Sequence, residues 1–348
     1  MLSDRIEAKW IDSFRALFQL CQLPDQALVA IFSETQSRAL NLQLTELALA
    51  SLGLRWFHVQ APTPIQTAPV AVRSTGASSA VQGNPAIIAA LSASAMVVDL
   101  TLEGLLHAPE LPAILAQGAR LMMISNEHPE ALERLAPDPA LKPKVLAGVK
   151  KLKSAKRMRV TSAAGSDLSI DLTGAPTAGV FGWADRPGQV AHWPGGLCLC
   201  FPKAGTVNGR LVLAPGDVNL TFNRYLLTPI TLEVADDYVT QVLGDGLDAE
   251  LMRSYFAAWG DRDSYAVSHV GWGMNPKARW DSLTMYDRRD TNGTELRAFA
   301  GNFLFSTGAN EAAGRHALGH FDLPMRNCTV LLDDDPVVLD GVLQGELA

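Results

Sequence analysis

The chain has 348 residues, 48% hydrophobic and 19% charged, with a formal net charge of −7 and a pI of about 5.5. It is long enough for two domains or one large one and apolar enough to bury a sizeable core, which excludes a disordered chain. The acidic balance argues against nucleic acid or an anionic membrane as partner, since both need clustered positive charge.

One basic run exists, from Lys142 through Lys150, Lys151 and Lys156 to Arg159, with no acid inside it. No aromatics interleave to stack bases, so it reads as the solvated face of a helix leading into a strand. The first residues include Asp4 and Glu7 and no apolar core of a signal peptide. No stretch approaches about 18 uninterrupted apolar residues, so neither a secretory leader nor a membrane span is expected. Four cysteines (Cys21, Cys198, Cys200 and Cys328) lack disulfide-framework spacing and fit a reducing cytoplasm. The Cys-Leu-Cys pair alternates with Leu197 and Phe201 and reads as a buried strand, not a metal site.

In chain order, Ile6, Trp10, Ile11, Phe14, Leu17, Phe18 and Cys21 recur at helical spacing, predicting a helix over 5–21. The apolar run 26–33 predicts a buried strand, 37–52 a helix closed by Gly53, and 55–60 a second strand. Residues 61–83, rich in Pro, Thr, Ser and Gly, form a long excursion, either a functional loop or an oligomer arm. A helix over 85–91, a strand over 95–100, a helix over 111–117 and a strand over 120–125 follow, then helices over 128–135 and 141–153. This alternation predicts an α/β domain with a mostly parallel sheet. No G-x-G-x-x-G or P-loop supports a nucleotide site. Ligands of such sheets lie beyond the carboxyl ends of the strands, where the segment Asp99–Ala108 falls.

Near residue 156 the pattern changes. A hairpin is expected over 158–163 and 167–172, then strands over 196–201, 206–213, 230–234 and 238–243, a helix over 248–259, and strands over 264–269, 296–306, 328–332 and 337–343. The second half is thus α+β and largely antiparallel, and the division falls at about 155: an α/β domain over 1–155 and a β-rich domain over 156–348. The acidic cluster Asp333–Asp335 before Pro336 lies between two apolar runs and reads as a hairpin turn.

The residues able to carry chemistry gather in the second half. His320 and Asp322, in H-F-D, would share one face of an extended segment, and His269 in H-V-G-W-G supplies a third donor. Two histidines and one carboxylate form the ligand set of non-haem Fe(II) oxygenases. His192 lies in an H-W-P-G-G turn, and Ser306 ends an apolar strand before a glycine turn, placed to hydrogen-bond in a site. His58, His128 and His316 read as structural or loop residues. His316 and His320 have the spacing of a helical zinc pair, but the central Glu of H-E-x-x-H is missing.

Taken together, H-W-P-G-G at 192–196, T-V-N-G-R-L-V-L at 206–213, G-D-V-N at 216–219, H-V-G-W-G-M-N-P at 269–276, G-N-F-L-F-S-T-G at 301–308 and H-F-D-L-P-M at 320–325 resemble the 2,5-dihydroxypyridine 5,6-dioxygenases. These are ring-opening enzymes of nicotinate, nicotine and picolinate breakdown, distantly similar to metallopeptidases of the aminopeptidase T type. The resemblance implies a mononuclear Fe(II) enzyme that opens 2,5-dihydroxypyridine between C5 and C6 with O2, giving N-formylmaleamate. It implies His269, His320 and Asp322 as metal ligands, Leu106 and His107 in a lid, and His192 and Ser306 in the substrate pocket. Partners would be a small hydroxylated pyridine and O2, and the chain is expected to be a cytoplasmic homo-oligomer. A metal-dependent aminopeptidase is the alternative, although glutamates are scarce in the motif regions. A non-catalytic binding protein is a further one, opposed by the cost of keeping idle ionisable groups together.

Overall fold

The computed structural model describes residues 2–66, 68 and 77–348, so part of the 61–83 excursion lies outside the described residues. Among the described residues the sheets are a five-stranded parallel one, an eight-stranded antiparallel one, a five-stranded antiparallel one and a small two-stranded ribbon. The expected fold class, α/β followed by largely antiparallel α+β, is the one observed. Among the described residues, no helix is long and apolar enough to cross a membrane.

The parallel sheet runs in the order Arg55–Ala61, Leu28–Glu34, Met96–Asp99, Arg120–Ile124, Val190–Trp193. Its central strands are near-continuous apolar runs because helices cover both faces, leaving no wet side to select alternation. The edge strand Arg55–Ala61 is half exposed, and His58 there bonds Ser33 Oγ at 2.7 Å, a structural role as expected. His128 caps the helix Pro129–Arg134 by accepting from the Glu130 amide.

The fifth strand comes from far along the chain. Val190–Trp193 was expected as part of a turn; instead it pairs in parallel with Arg120–Ile124, setting His192 opposite Met123. Trp193 is fully buried against Phe14, with ring centroids 5.1 Å apart, and that burial holds the strand in the first layer. After the Trp193–Pro194 bond, Gly195 lies directly against the backbone of Phe181 and Gly182.

The second antiparallel sheet carries the site. Its order is Phe321–Met325, Phe303–Thr307, Val267–Gly273, Leu197–Cys200, Thr177–Val180. The strand holding His269 does not end there, as expected, but continues through Gly273. Gly271 and Gly273 permit this, since a side chain at either would meet the carbonyl oxygen of Cys198 or Phe299. The single strand expected over 296–306 divides into a helix, Thr294–Ala298, and a strand, Phe303–Thr307. Asn302 causes the break. Its side-chain amide donates to the carbonyls of Arg297 at 2.8 Å and Phe299 at 2.9 Å, closing the helix, while its oxygen accepts from the Gly273 amide. The acidic turn is a hairpin, as read, and Asp333 accepts from the amides of Lys156 and Arg157.

Gly195 has no room for a methyl group, because the facing atoms are backbone and cannot rotate away. Gly195→Ala is therefore expected to cost about 1–3 kcal/mol, the usual range for overpacking. Urea unfolding would read this as a lower midpoint at unchanged slope, and an unchanged midpoint would refute the close approach.

Candidate active site

A cavity of about 490 Å³ lies at the seam between the parallel sheet and the site-bearing antiparallel sheet. The parallel sheet contributes the carboxyl ends of two strands: His192 near the end of one, and the segment with Leu106 and His107 after the other. That segment is held from below. Asp99, fully buried, accepts from the Thr101 hydroxyl at 2.7 Å, the Thr101 amide at 3.0 Å and the Leu105 amide at 2.7 Å. Ser78 reaches the same loop, its amide bonding the Gly104 carbonyl at 2.6 Å.

The antiparallel sheet contributes His269, His320 and Asp322. The ladder between Val267–Gly273 and Phe303–Thr307 shifts register between Val267 and Val270, so His269 sits on a bulge that re-aims its side chain. Asp322 pairs directly with Ser306 across the next ladder. His320 lies just before its strand, its backbone fixed by Tyr255, whose hydroxyl donates to the His320 carbonyl at 3.0 Å. Three imidazoles form a near-regular triangle, with centroid distances of 6.0 Å for His107–His269, 5.7 Å for His107–His320 and 5.8 Å for His269–His320.

Asp322 ties the group together. Arg297 Nε donates to its Oδ2 at 2.6 Å, and His320 Nε2 lies 3.2 Å from the same oxygen. Ser306 Oγ donates to its Oδ1, and His269 Nε2 lies 3.6 Å from that oxygen. Burial alone would raise this carboxyl, but Arg297 foremost, then His320 and His269, hold it well below the usual carboxylate range. Burial also governs the histidines: it lowers His269 to about 3 against the pull of Asp322, and His107 to about 4. His192 is likewise lowered to about 4 by burial, only partly offset by its bond to the Pro194 carbonyl. His107, His192 and His269 are therefore neutral near pH 7, each with a lone pair.

Neutral imidazoles beside an ionised carboxylate are the donor set a divalent cation requires. Among the described residues, no three His, Cys, Asp or Glu side chains already enclose a common point. The pair separations of 3.2 and 3.6 Å from Asp322 nonetheless resemble the ~3 Å between adjacent donors of a cation bound at about 2.1 Å. In donor chemistry the residues fit a metal.

Of the residues expected from the sequence, Leu106, His107, His192, His269, His320 and Asp322 all line the cavity. Ser306 does not; it stands behind Asp322, also bonding His269 Nε2 at 3.0 Å. His316 is exposed and outside the cavity. Sequence reading missed Arg297, because the apolar residues around it read as a strand. Its helix begins on Glu127, which accepts from the amides of Gly293 at 2.9 Å and Thr294 at 3.0 Å. Asn292 and Gly293 before Thr294-Glu295 were the available signal of a helix start.

A parallel α/β layer meeting an antiparallel sheet around a buried, histidine-rich cavity is the build of an enzyme for a small molecule. Comparison with known proteins narrows the class: the chain belongs to the 2,5-dihydroxypyridine 5,6-dioxygenase family, whose sequence model matches residues 9–345. It is 42% identical over 264 residues to the 2,5-dihydroxypyridine 5,6-dioxygenase of Pseudomonas putida, covering 75% of this chain and 74% of that one. The solved structure of the 2,5-dihydroxypyridine dioxygenase of Pseudomonas putida KT2440 superposes over 100% of both chains, with a TM-score of 0.92 at 34% identity. Aminopeptidase T of Thermus thermophilus shares the fold, with a TM-score of 0.65 at 14% identity over 97% of this chain and 99% of that one.

Glu127 gives this region a pH signature. Burial, reinforced by Glu295, raises it from 4.5 to about 7, and its second oxygen has no partner among the described residues. A folded pKa above the unfolded one stabilises below the unfolded value, and that contribution is lost as pH rises through about 7. Glu127→Gln removes the titration, so its melting temperature should rise relative to wild type between pH 5 and pH 8. A difference constant across that range, in calorimetry, would contradict the raised pKa.

Proposed function

We propose that this protein is an Fe(II)-dependent dioxygenase that opens 2,5-dihydroxypyridine between C5 and C6 with O2, giving N-formylmaleamate in nicotinate-type catabolism. The observation that carries this reading is one cavity lined by His107, His192, His269, His320, Asp322 and Arg297. Family membership supplies the reaction class. The aminopeptidase likeness is one of fold, and no cluster of glutamates accompanies it in the cavity lining. In this reading residues 1–155 bear the lid and 156–348 the metal ligands.

His269, His320 and Asp322 would hold the ion. Bound there, Fe(II) supplies Lewis acidity toward a ring hydroxyl and coordination positions beyond its three protein ligands. His192 then has a defined tautomer. Its Nδ1 lies 2.6 Å from the Pro194 carbonyl oxygen, which can only accept, so Nδ1 carries the hydrogen and Nε2 the lone pair. A neutral Nε2 takes the proton from a ring hydroxyl, and the resulting electron-rich ring is the reductant for O2. Both oxygen atoms enter the product, so no further electron donor is consumed.

Arg297 keeps Asp322 ionised and offsets its charge. Ser306 fixes the orientation of the carboxylate from behind. Leu106 and His107, on the segment secured by Asp99, close the cavity over the ring and exclude water.

Iron-loaded protein given 2,5-dihydroxypyridine should consume one equivalent of O2 as the ring's ultraviolet absorbance disappears. His320→Ala should lose bound iron and fall more than about 100-fold in turnover, since even residues that only support metal ligands cost 10- to 100-fold. Full iron content and activity in that variant would refute the ligand assignment. His192→Gln should retain iron yet lower kcat, about 100-fold or more for loss of a general base; unchanged kcat would remove His192 from the proton transfer.

A further inference from the structure

The cavity lining is of two kinds. The histidines, Asp322 and Arg297, with Asn223, Arg288 and Asn292, supply polar surface. Leu106, Leu111, Val180, Val190, Leu197 and Leu199 supply apolar surface. The apolar surface is built by strand geometry. Ala178 pairs with Leu199 and Val180 with Leu197 across one ladder, so these four side chains share a single face of the sheet. The opposite face is committed elsewhere: a side chain at Gly179 would strike Val145 and Val149, and Cys198 Sγ contacts the Val145 carbonyl at 3.3 Å. The apolar face can therefore turn only toward the cavity.

The same surface continues toward the reacting groups. Leu199 pairs with Gly271, which follows His269 by two residues in the next strand. From the other wall, Val190 precedes His192 by two residues, placing it on the same side of the strand, roughly 7 Å away at the usual strand rise. The apolar surface thus adjoins the groups that would hold and deprotonate a ring.

Its size exceeds what a bare ring needs. Cavities of about 300–1,000 Å³ enclose drug-sized ligands, and this one is about 490 Å³. A dihydroxypyridine held at the histidine end leaves the half-buried Ala178 and Val180 uncovered, backed by Leu197 and Leu199, which are buried against Leu304; covering such apolar surface is favourable.

We propose that the preferred substrate carries an apolar alkyl substituent at C3 or C4 of the 2,5-dihydroxypyridine ring, received by the wall of Ala178, Val180, Leu197 and Leu199. This rests on the ring-opening reading above and adds the class of substituted ring. The bonds made and broken are unchanged, because C3 and C4 lie outside the cleaved C5–C6 bond.

The test compares 2,5-dihydroxypyridine with its 3- and 4-methyl, ethyl and propyl derivatives. Dissociation constants are measured by calorimetry without O2 on iron-free and iron-loaded protein, and kcat/KM by O2 uptake. In one positional series, affinity and kcat/KM should improve roughly three- to fourfold per added carbon, the worth of a buried methylene. Ala178→Leu, which fills the chamber, should flatten that series, and Val180→Asp should reverse it. If the parent ring is opened but longer chains bind no better in either series, the chamber proposal is overturned and the ring-opening reading stands. If no ring is opened by iron-loaded protein, the ring-opening reading falls. Binding to iron-free protein then still decides the chamber: tightening with chain length supports it, and a flat series refutes it.

Discussion

Asp322 is a buried carboxylate claimed from four directions, by Arg297, Ser306, His269 and His320. A buried charge is tolerable only when paired and hydrogen-bonded, so each of these partners is held in place by its own support. Ser306 comes from the adjacent strand, in register with Asp322. Arg297 comes from a short helix fastened by Glu127 at one end and Asn302 at the other. His269 comes from a bulge two strands away. Loss of the carboxylate would leave the half-buried Arg297 without its counter-charge and the Ser306 hydroxyl with His269 as its remaining partner.

The other side of the cavity follows a different logic. The parallel sheet offers strand ends, and the chain brings the segment with Leu106 and His107 and the side chain of His192 there. Asp99 converts one strand end into a compact loop by accepting three hydrogen bonds, and the loop presents Leu106 and His107. Burial pushes Asp99 up to about 6, so the loop is organised around a carboxylate that resists ionisation more than a surface one would. The strand Val190–Trp193 joins the two halves physically. It belongs to the parallel sheet by hydrogen bonding, yet leads directly through Pro194 and Gly195 into the strand Leu197–Cys200 of the antiparallel one.

These arrangements explain why one cavity can hold polar and apolar compartments side by side. The donors sit where strands end, begin or bulge, and there the ladder leaves side chains free to converge. The apolar wall sits where two strands pair regularly, Thr177–Val180 with Leu197–Cys200, and alternation directs one face inward. Burial lowers His107, His192 and His269 below the ordinary imidazole value, and the apolar wall lines the same cavity beside them.

The sequence by itself determined the layered α/β beginning, because apolar runs of strand length alternate with helical periodicity there, and periodicity is a local property. It also determined the H-x-D pair and its partner His269, because those residue types carry their chemistry wherever they stand. It did not reveal that residues 190–193 complete the first sheet, since four residues flanked by Gly and Pro have no period to read and their partner strand lies some 70 residues away. Arg297 stayed hidden for a related reason: its five-residue helix is closed by a side chain, Asn302, whose contacts follow only from the fold. The bulge at His269, the placement of Ser306 behind Asp322 and the apolar chamber were decided by strand register. Register is set by pairings between distant segments, and only the tertiary structure contains them.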